Sequence, residues 1–331
     1  MLVLYHVFVN FSIQLTLEFK QNMCYNDAKF TIKEKNMKLF APKYYKEFKC
    51  IADKCEHSCC VGWEIDVDSD TLEKYQSLKS EYASAIKDSI CMSDTPHFVL
   101  CEGDRCPHLD ENGLCRIILN EGEDFLCDIC REHPRFYNFT SVAEVGLGMS
   151  CREAARVILS CDNYWELEFI GEVDAPFDDV DFDGAKARLD VYEILRDRSI
   201  DYTARLDKIY NQYLIDAGDD EKWLSVLDEL EYLDTAHKDI FMNYSRKRRP
   251  NGNFEYLERF LAYLIYRHTT EAMDAEDFCD RLAFCLFCER LLASLMVCTS
   301  AQNVDDVAFL ASIISEEIEY SDENTSNLMY L

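Results

Sequence analysis

The sequence predicts a mainly α protein: a Cys-rich cluster-binding module with short strands, followed by an all-helical C-terminal part. Three observations carry this prediction. Ten Gly and six Pro in 331 residues fall below ordinary usage, which disfavours turn-dense all-β folds and favours long helices. Hydrophobic residues make up 48% of the chain and aromatics 13%, enough to bury a substantial core. Seventeen cysteines are spread unevenly: twelve fall between Cys50 and Cys161, four between Cys279 and Cys298, and Cys24 stands alone.

Charge narrows the function classes. Lys and Arg total 34 against 63 Asp and Glu, a net −29, and such a field repels phosphate backbones and anionic headgroups while attracting cationic protein surfaces. Neither nucleic acid nor membrane is an expected partner. Residues 1–19 lack the Lys or Arg of a signal peptide and any apolar span long enough for a bilayer. The expected compartment is therefore a reducing cytoplasm, where clustered thiols serve more often as metal ligands than as disulfides.

Residues 1–36 form an N-terminal extension, in which Val9, Phe11, Ile13, Leu15, Leu17 and Phe19 alternate with polar residues as in a half-buried strand. Residues 20–38 read as a linker, and Met37 is an apt alternative start. The Cys-rich module spans 37–161. Within it, Ser69 or Asp70 caps a helix with Leu72, Tyr75, Leu78, Tyr82 and Ile86 at helical spacing, and short strands are expected over 97–101 and 145–149. An acidic linker follows at 171–183, with Asp174, Asp178, Asp179, Asp181 and Asp183 around Pro176; it lacks the ligand order of a calcium loop. Helices are expected over 152–162, 185–215, 221–236, 253–270, 275–299 and 303–319, the last five within a helical domain at 184–331. The basic run from Arg246 to Pro250 reads as a solvated loop, and Cys279, Cys285, Cys288 and Cys298 as packing residues in an apolar helix.

The chemistry-bearing groups are Cys50-x4-Cys55-x3-Cys59-Cys60, Cys106-x8-Cys115, Cys127-x2-Cys130 and Cys151. Thiolates are soft donors that suit zinc or an iron-sulfur cluster, and either takes four. The spacings match neither a zinc ribbon, which needs two Cys-x2-Cys pairs, nor the bacterial ferredoxin run. Adjacent Cys59 and Cys60 face one metal together only through a tight backbone bend.

The segments KYYKEFKCIADKCEHSCCVGW, CPHLDENGLCRI, LCDICREHPRFYNF and EVGLGMSCREAARVIL, in that order, resemble the flagellin lysine-N-methylase family. That family's cysteine pattern is related to a broader group of zinc- or iron-chelating cysteine-cluster proteins. The resemblance covers residues 37–159 and continues at 254–268. It implies transfer of a methyl group from S-adenosylmethionine to lysine ε-amines of flagellin, with a [4Fe-4S] cluster, or alternatively zinc, in the cysteine module. A non-catalytic scaffold or a redox protein is the competing reading. His108 stands where the family suggests an aromatic, Arg152 where it suggests Pro, and Cys127 where many relatives have another residue. The expected ligand set is accordingly Cys50, Cys55, Cys59, Cys60, Cys106, Cys115, Cys130 and Cys151. Gly146-Leu-Gly148, before a helix, and Arg135, in a kinked loop, are the candidates for contact with S-adenosylmethionine; no residue is assigned as the catalytic base.

Overall fold

The computed structural model describes residues 33–177 and 181–330. The N-terminal alternating segment, Cys24, Asp178 and Asp179 lie outside them. The chain divides into two compact units: a larger one from the segments before Lys49 and after Pro134, and a smaller one over Lys49–Pro134.

Strand β1 (Lys33–Pro42) opens the larger unit. The smaller unit contains α1 (Ser69–Ser77), α2 (Ala83–Asp88), the two-residue strands β2 (Ile90–Cys91) and β3 (His97–Phe98), α3 (Arg116–Glu121) and α4 (Asp128–Glu132). The larger unit resumes with β4 (Arg135–Phe139), β5 (Ala143–Leu147), α5 (Arg152–Ser160) and β6 (Leu167–Phe177). It ends in α6 (Gly184–Arg196), α7 (Tyr202–Gln212), α8 (Asp220–Glu229), α9 (Thr235–Phe241), α10 (Phe254–His268), α11 (Ala275–Thr299), α12 (Val304–Ile314), a π-helical turn at Ser315–Glu319, and α13 (Asp322–Met329). Helix makes up about 52% of the described residues and strand 13%, as the low Gly and Pro content predicts.

The larger unit holds a four-stranded sheet in the order β4-β5-β1-β6. β1 runs parallel to β5 and antiparallel to β6, pairing from Lys33 with Phe177 to Pro42 with Leu167. Met37, Leu39 and Ala41 are buried while Asn36 and Lys38 are exposed, and Val173 and Ala175 are buried between exposed Glu172 and Asp174. This period-two pattern sets one face of the pair against the core. It corrects two expectations: the segment 37–42 belongs to this sheet rather than to the Cys-rich unit, and the first half of the acidic linker is strand. A charge run that reads as solvated loop is here the exposed face of β6.

Aspartates also divide helices that the apolar period reads as continuous. Asp201 accepts from the Ala204 amide at 2.9 Å and Asp234 from the Ala236 amide at 2.8 Å, so each starts a new helix as an N-cap. The expected helices at 185–215 and 221–236 are therefore two each. Helix α11 has the expected bounds. It is long and apolar enough to cross a membrane by length and composition, but 78% of its most apolar stretch is buried, against α9, α10, α12 and α13. Cys285 and Cys288 are fully buried there as small apolar side chains, whereas the Cys298 thiol is exposed and accepts from Arg248 at 3.0 Å.

The core of the larger unit carries buried carboxylates, each met by cations or hydroxyls. On β5, Glu144 accepts from Arg188 of α6 at 2.7 Å through Oε2 and again through Oε1, and Arg188 lies 4.8 Å from the Tyr266 ring centre. Glu289 of α11 takes a two-pronged contact from Arg249 at 2.9 and 3.0 Å, so Arg249 anchors a basic run whose Arg246, Lys247 and Arg248 are exposed, as a solvated loop predicts. Glu319 in the π-helical turn accepts from His268 at 2.6 Å and Tyr263 at 2.9 Å. Burial opposes its charge, and Arg267 with His268 overcomes that, holding its carboxyl down at about 2.

Removing one partner of such a pair strands a charge in the core. Arg188→Met is expected to cost about 3–5 kcal/mol in urea unfolding, with Glu144→Gln added to Arg188→Met restoring much of the loss. A double variant as unstable as the sum of the two single variants would show that the pair is not coupled.

Candidate functional site

The smaller unit has short helices and little sheet, and its core is correspondingly unusual. Ile65, Val67, Tyr75, Ile86, Phe98, Leu109 and Ile117 supply the apolar part, Cys106 and Cys127 are buried among them, and Cys60, Cys115 and Cys130 pack against the same cluster. All five are thiols rather than disulfides.

Short-range hydrogen bonds bring these five together from four separate segments. The Cys106 amide donates to the Cys60 carbonyl at 2.8 Å, which lays the first two segments side by side. The third is set by a turn in which one Asp110 oxygen accepts from the Asn112 and Leu114 amides, both at 2.8 Å. That turn needs Gly113, whose φ of +77° a side-chain-bearing residue rarely adopts. It delivers Cys115 to a bridge with Leu109. The fourth segment, carrying Cys127 and Cys130, is positioned by Asp68. Its Oδ1 accepts from the Thr71 amide at 2.8 Å and caps α1, while Oδ2 accepts from the Asp128 amide at 2.9 Å at the start of α4. Tyr75 completes the fixture, donating to the Phe125 carbonyl at 2.6 Å with its hydroxyl 3.5 Å from the Cys127 sulfur.

Burial and mutual charge set how readily these thiols ionise. Burial pushes Cys106 and Cys127 up to about 12, and Cys115 upward as well. Cys130 is raised by burial and then by the like charge of Cys127, Cys60, Cys106 and Cys115. Cys60 moves the other way, down to about 7, because a hydrogen bond from Cys59 outweighs its burial, with Ser58 and Arg105 assisting. The set thus holds one thiol poised to ionise near neutral pH among others that a low-dielectric setting keeps protonated. As placed, no group of three or more His, Cys, Asp or Glu side chains among the described residues has metal-binding geometry.

The expected ligands separate on this map. Cys60, Cys106, Cys115 and Cys130 lie in the thiol core. Cys50, Cys55 and Cys59 lie in the irregular segment before it, with Cys50 and Cys59 exposed and the Cys55 thiol directed to the His57 carbonyl at 2.9 Å. Cys151 belongs to the larger unit, as the residue before α5. Cys127, set aside because of the resemblance, is in the core, and its Cys-x2-Cys spacing to Cys130 was the signal that pointed there. His108 is structural: its two ring nitrogens meet the Tyr82 hydroxyl at 2.8 Å and the Ser89 hydroxyl at 3.0 Å, and burial lowers its pKa to about 4.

The candidate cofactor glycines have another explanation. Gly146 is interior to β5, where a side chain would collide with Phe136, and a side chain at Gly148 would collide with the Tyr320 hydroxyl. They admit aromatic rings against the sheet and form no open turn. Arg135 begins β4, donating from Nε to the Tyr45 hydroxyl at 3.0 Å with its guanidinium 5.8 Å from that ring centre.

Because Asp68 caps two helices at once, Asp68→Ala is expected to destabilise the smaller unit by about 1–3 kcal/mol and Asp68→Asn by less. Urea unfolding together with amide exchange at residues 128–131 measures this. Unchanged exchange there would show that Asp68 does not hold the Cys127–Cys130 segment.

No family model and no solved structure matches the chain. Similar proteins include the flagellar biosynthetic protein FliU of Salmonella muenchen, 28% identical over 134 residues that cover 38% of this chain and 79% of that protein. The lysine-N-methylases of Salmonella typhimurium and Salmonella choleraesuis are each 28% identical over 134 residues, again 38% of this chain but 33% of theirs. The chain therefore spans about a third of the length of the lysine-N-methylases that it matches. With four ordered cysteine-bearing blocks and these matches, the chain resembles the flagellin lysine-N-methylases.

Proposed function

We propose that the protein is a methyltransferase that moves a methyl group from S-adenosylmethionine to lysine ε-amines of flagellin, in the cytoplasm, with a [4Fe-4S] cluster in its smaller unit. The observation that carries the activity is the likeness to proteins named lysine-N-methylase. The donor set supports the cluster: Cys60, Cys106, Cys115, Cys127 and Cys130 are soft ligands gathered in one small core, and such thiols suit iron-sulfur clusters, with zinc as the alternative.

Five thiols are one more than a cubane cluster uses, so the number of donors suffices, and cluster binding would require the side chains to move from their present placement. A cluster held by these cysteines would add cross-links to a unit with little secondary structure. Asp68 and Tyr75 hold the segment of Cys127 and Cys130, and the Cys60 thiol, poised near 7, is the readiest to give up its proton to a metal.

Methyl transfer from a sulfonium to an amine is an in-line displacement, so alignment of donor and acceptor dominates, and the lysine must be neutral. With a pKa near 10.4, less than about 0.1% of a free lysine is neutral at pH 7. The net charge of −29 favours encounter with a lysine-bearing surface but also favours the charged amine. Activation therefore belongs to an apolar or proton-accepting spot rather than to the surface field.

Anaerobic purification followed by incubation with flagellin and methyl-labelled S-adenosylmethionine tests the proposal. The expected outcome is a brown protein with visible absorption and label in flagellin lysines. A colourless, zinc-loaded protein that transfers no label would contradict it and favour a non-catalytic scaffold.

A further inference from the structure

We infer that a cleft in the larger unit receives the free α-amino-acid head group of a ligand. On the methyl-transfer reading above, on which this assignment rests, that ligand is S-adenosylmethionine.

The cleft has a volume of about 330 Å³ and is lined by the segment after α5, the junction of α6 and α7, and the first turns of α10. That volume lies within the range of small-molecule sites. Glu258 is a buried lining residue. Its carboxylate accepts from Arg198 through both terminal nitrogens at 2.5 Å, from Arg205 at 2.7 Å and from the Tyr164 hydroxyl. One negative charge is therefore held by two positive ones, and the group carries a net charge of +1. Arg205 is 5% exposed, and its Nε–H has no hydrogen-bond acceptor. Arg198 keeps 56% of its side-chain surface exposed, and its remaining N–H groups are in excess of what Glu258 uses.

The opposite charge lies one helical turn earlier. Glu255 lines the same cleft, is exposed, and has no ion-pair or hydrogen-bond partner among the described residues. The nearby Arg259 is committed to Asp162 at 2.6 Å and to the Leu159 carbonyl. The cleft thus presents surplus positive charge at Arg198, since Arg205 also faces Asp197, and the carboxylate of Glu255, with Phe254 as an apolar surface beside them. A lone anion would leave Glu255 unmatched, and a lone cation would leave Arg198 unmatched. An α-amino acid carries both complements on one carbon, its carboxylate for Arg198 and its ammonium for Glu255.

The test is calorimetric binding to the anaerobically purified full chain, using S-adenosylmethionine, methionine, and decarboxylated S-adenosylmethionine, which keeps the sulfonium but lacks the carboxylate. Arg198→Met and Glu255→Gln both alter exposed side chains, and Glu258 keeps Arg205 and Tyr164 in the first; circular dichroism melting checks that both variants fold. Each is expected to weaken S-adenosylmethionine binding roughly 10- to 100-fold, as loss of a charge-assisted pair does, with Arg198→Lys retaining part of it. The decarboxylated compound is expected to bind the unaltered protein more weakly and to be insensitive to Arg198→Met. If methionine alone shows the same sensitivity while S-adenosylmethionine does not bind, the cleft is a free amino-acid site and the head-group assignment stands. S-adenosylmethionine binding unchanged in both variants would overturn the assignment while leaving methyl transfer intact. Failure of all three ligands to bind would overturn it too, and failure of the methyl-transfer reading itself is read separately, from label in flagellin.

Discussion

The smaller unit buries seven apolar side chains other than cysteine in its core, with seven more half-buried around them, and its helices are short. Burial of that much surface is a weak counterweight to the entropy of ordering so much irregular backbone. The convergence of Cys60, Cys106, Cys115, Cys127 and Cys130 is the constraint on which the rest of this unit depends. Its turns, its Asp68 double cap and its Tyr75 hydrogen bond hold the thiol-bearing segments against one apolar core. Small domains with this difficulty gain stability from a metal or from disulfides, and in a reducing setting metal is the option open to these residues.

The larger unit solves its own problem differently. It has ample apolar core around α11, and into that core it places carboxylates, Glu144, Glu258, Glu289 and Glu319, each met by Arg, His or Tyr from another element. Such pairs do little for net stability but penalise arrangements that separate them. They fix how α6 meets β5 and how α10 meets the π-helical turn. Around Glu258 the same device leaves positive charge over at exposed Arg198, in the cleft that Glu255 also lines.

Much of this was legible in the sequence, in uneven measure. Helix α11 could be read to the residue because its apolar run has a capping Asp274 at one end and no competing signal inside. The sheet was mostly hidden: β1 and β6 are partners far apart in sequence, and the alternation of Val173 and Ala175 with Glu172 and Asp174 looks like an acidic linker until its partner strand is known. Asp201 and Asp234 stop helices that periodicity alone would continue. For the site, cysteine density marks this unit in the sequence, but which thiols pack in its apolar core is not legible there. Cys151 lies in the larger unit, whereas Cys127, which the resemblance sets aside, lies in the core of the smaller one. Gly146 and Gly148 illustrate a similar ambiguity, since a strand that admits an aromatic ring and a loop that admits a cofactor both call for glycine.

On the proposed function, the thiol core rather than the wider set of cysteines would hold the cluster. Iron and acid-labile sulfide per chain, measured after anaerobic purification, test it most directly when a Cys127→Ser/Cys130→Ser variant is compared with a Cys50→Ser/Cys151→Ser variant. The first leaves three core thiols and is expected to lose iron, sulfide and visible absorption, while the second retains all three. Retention by the first and loss by the second would contradict the account.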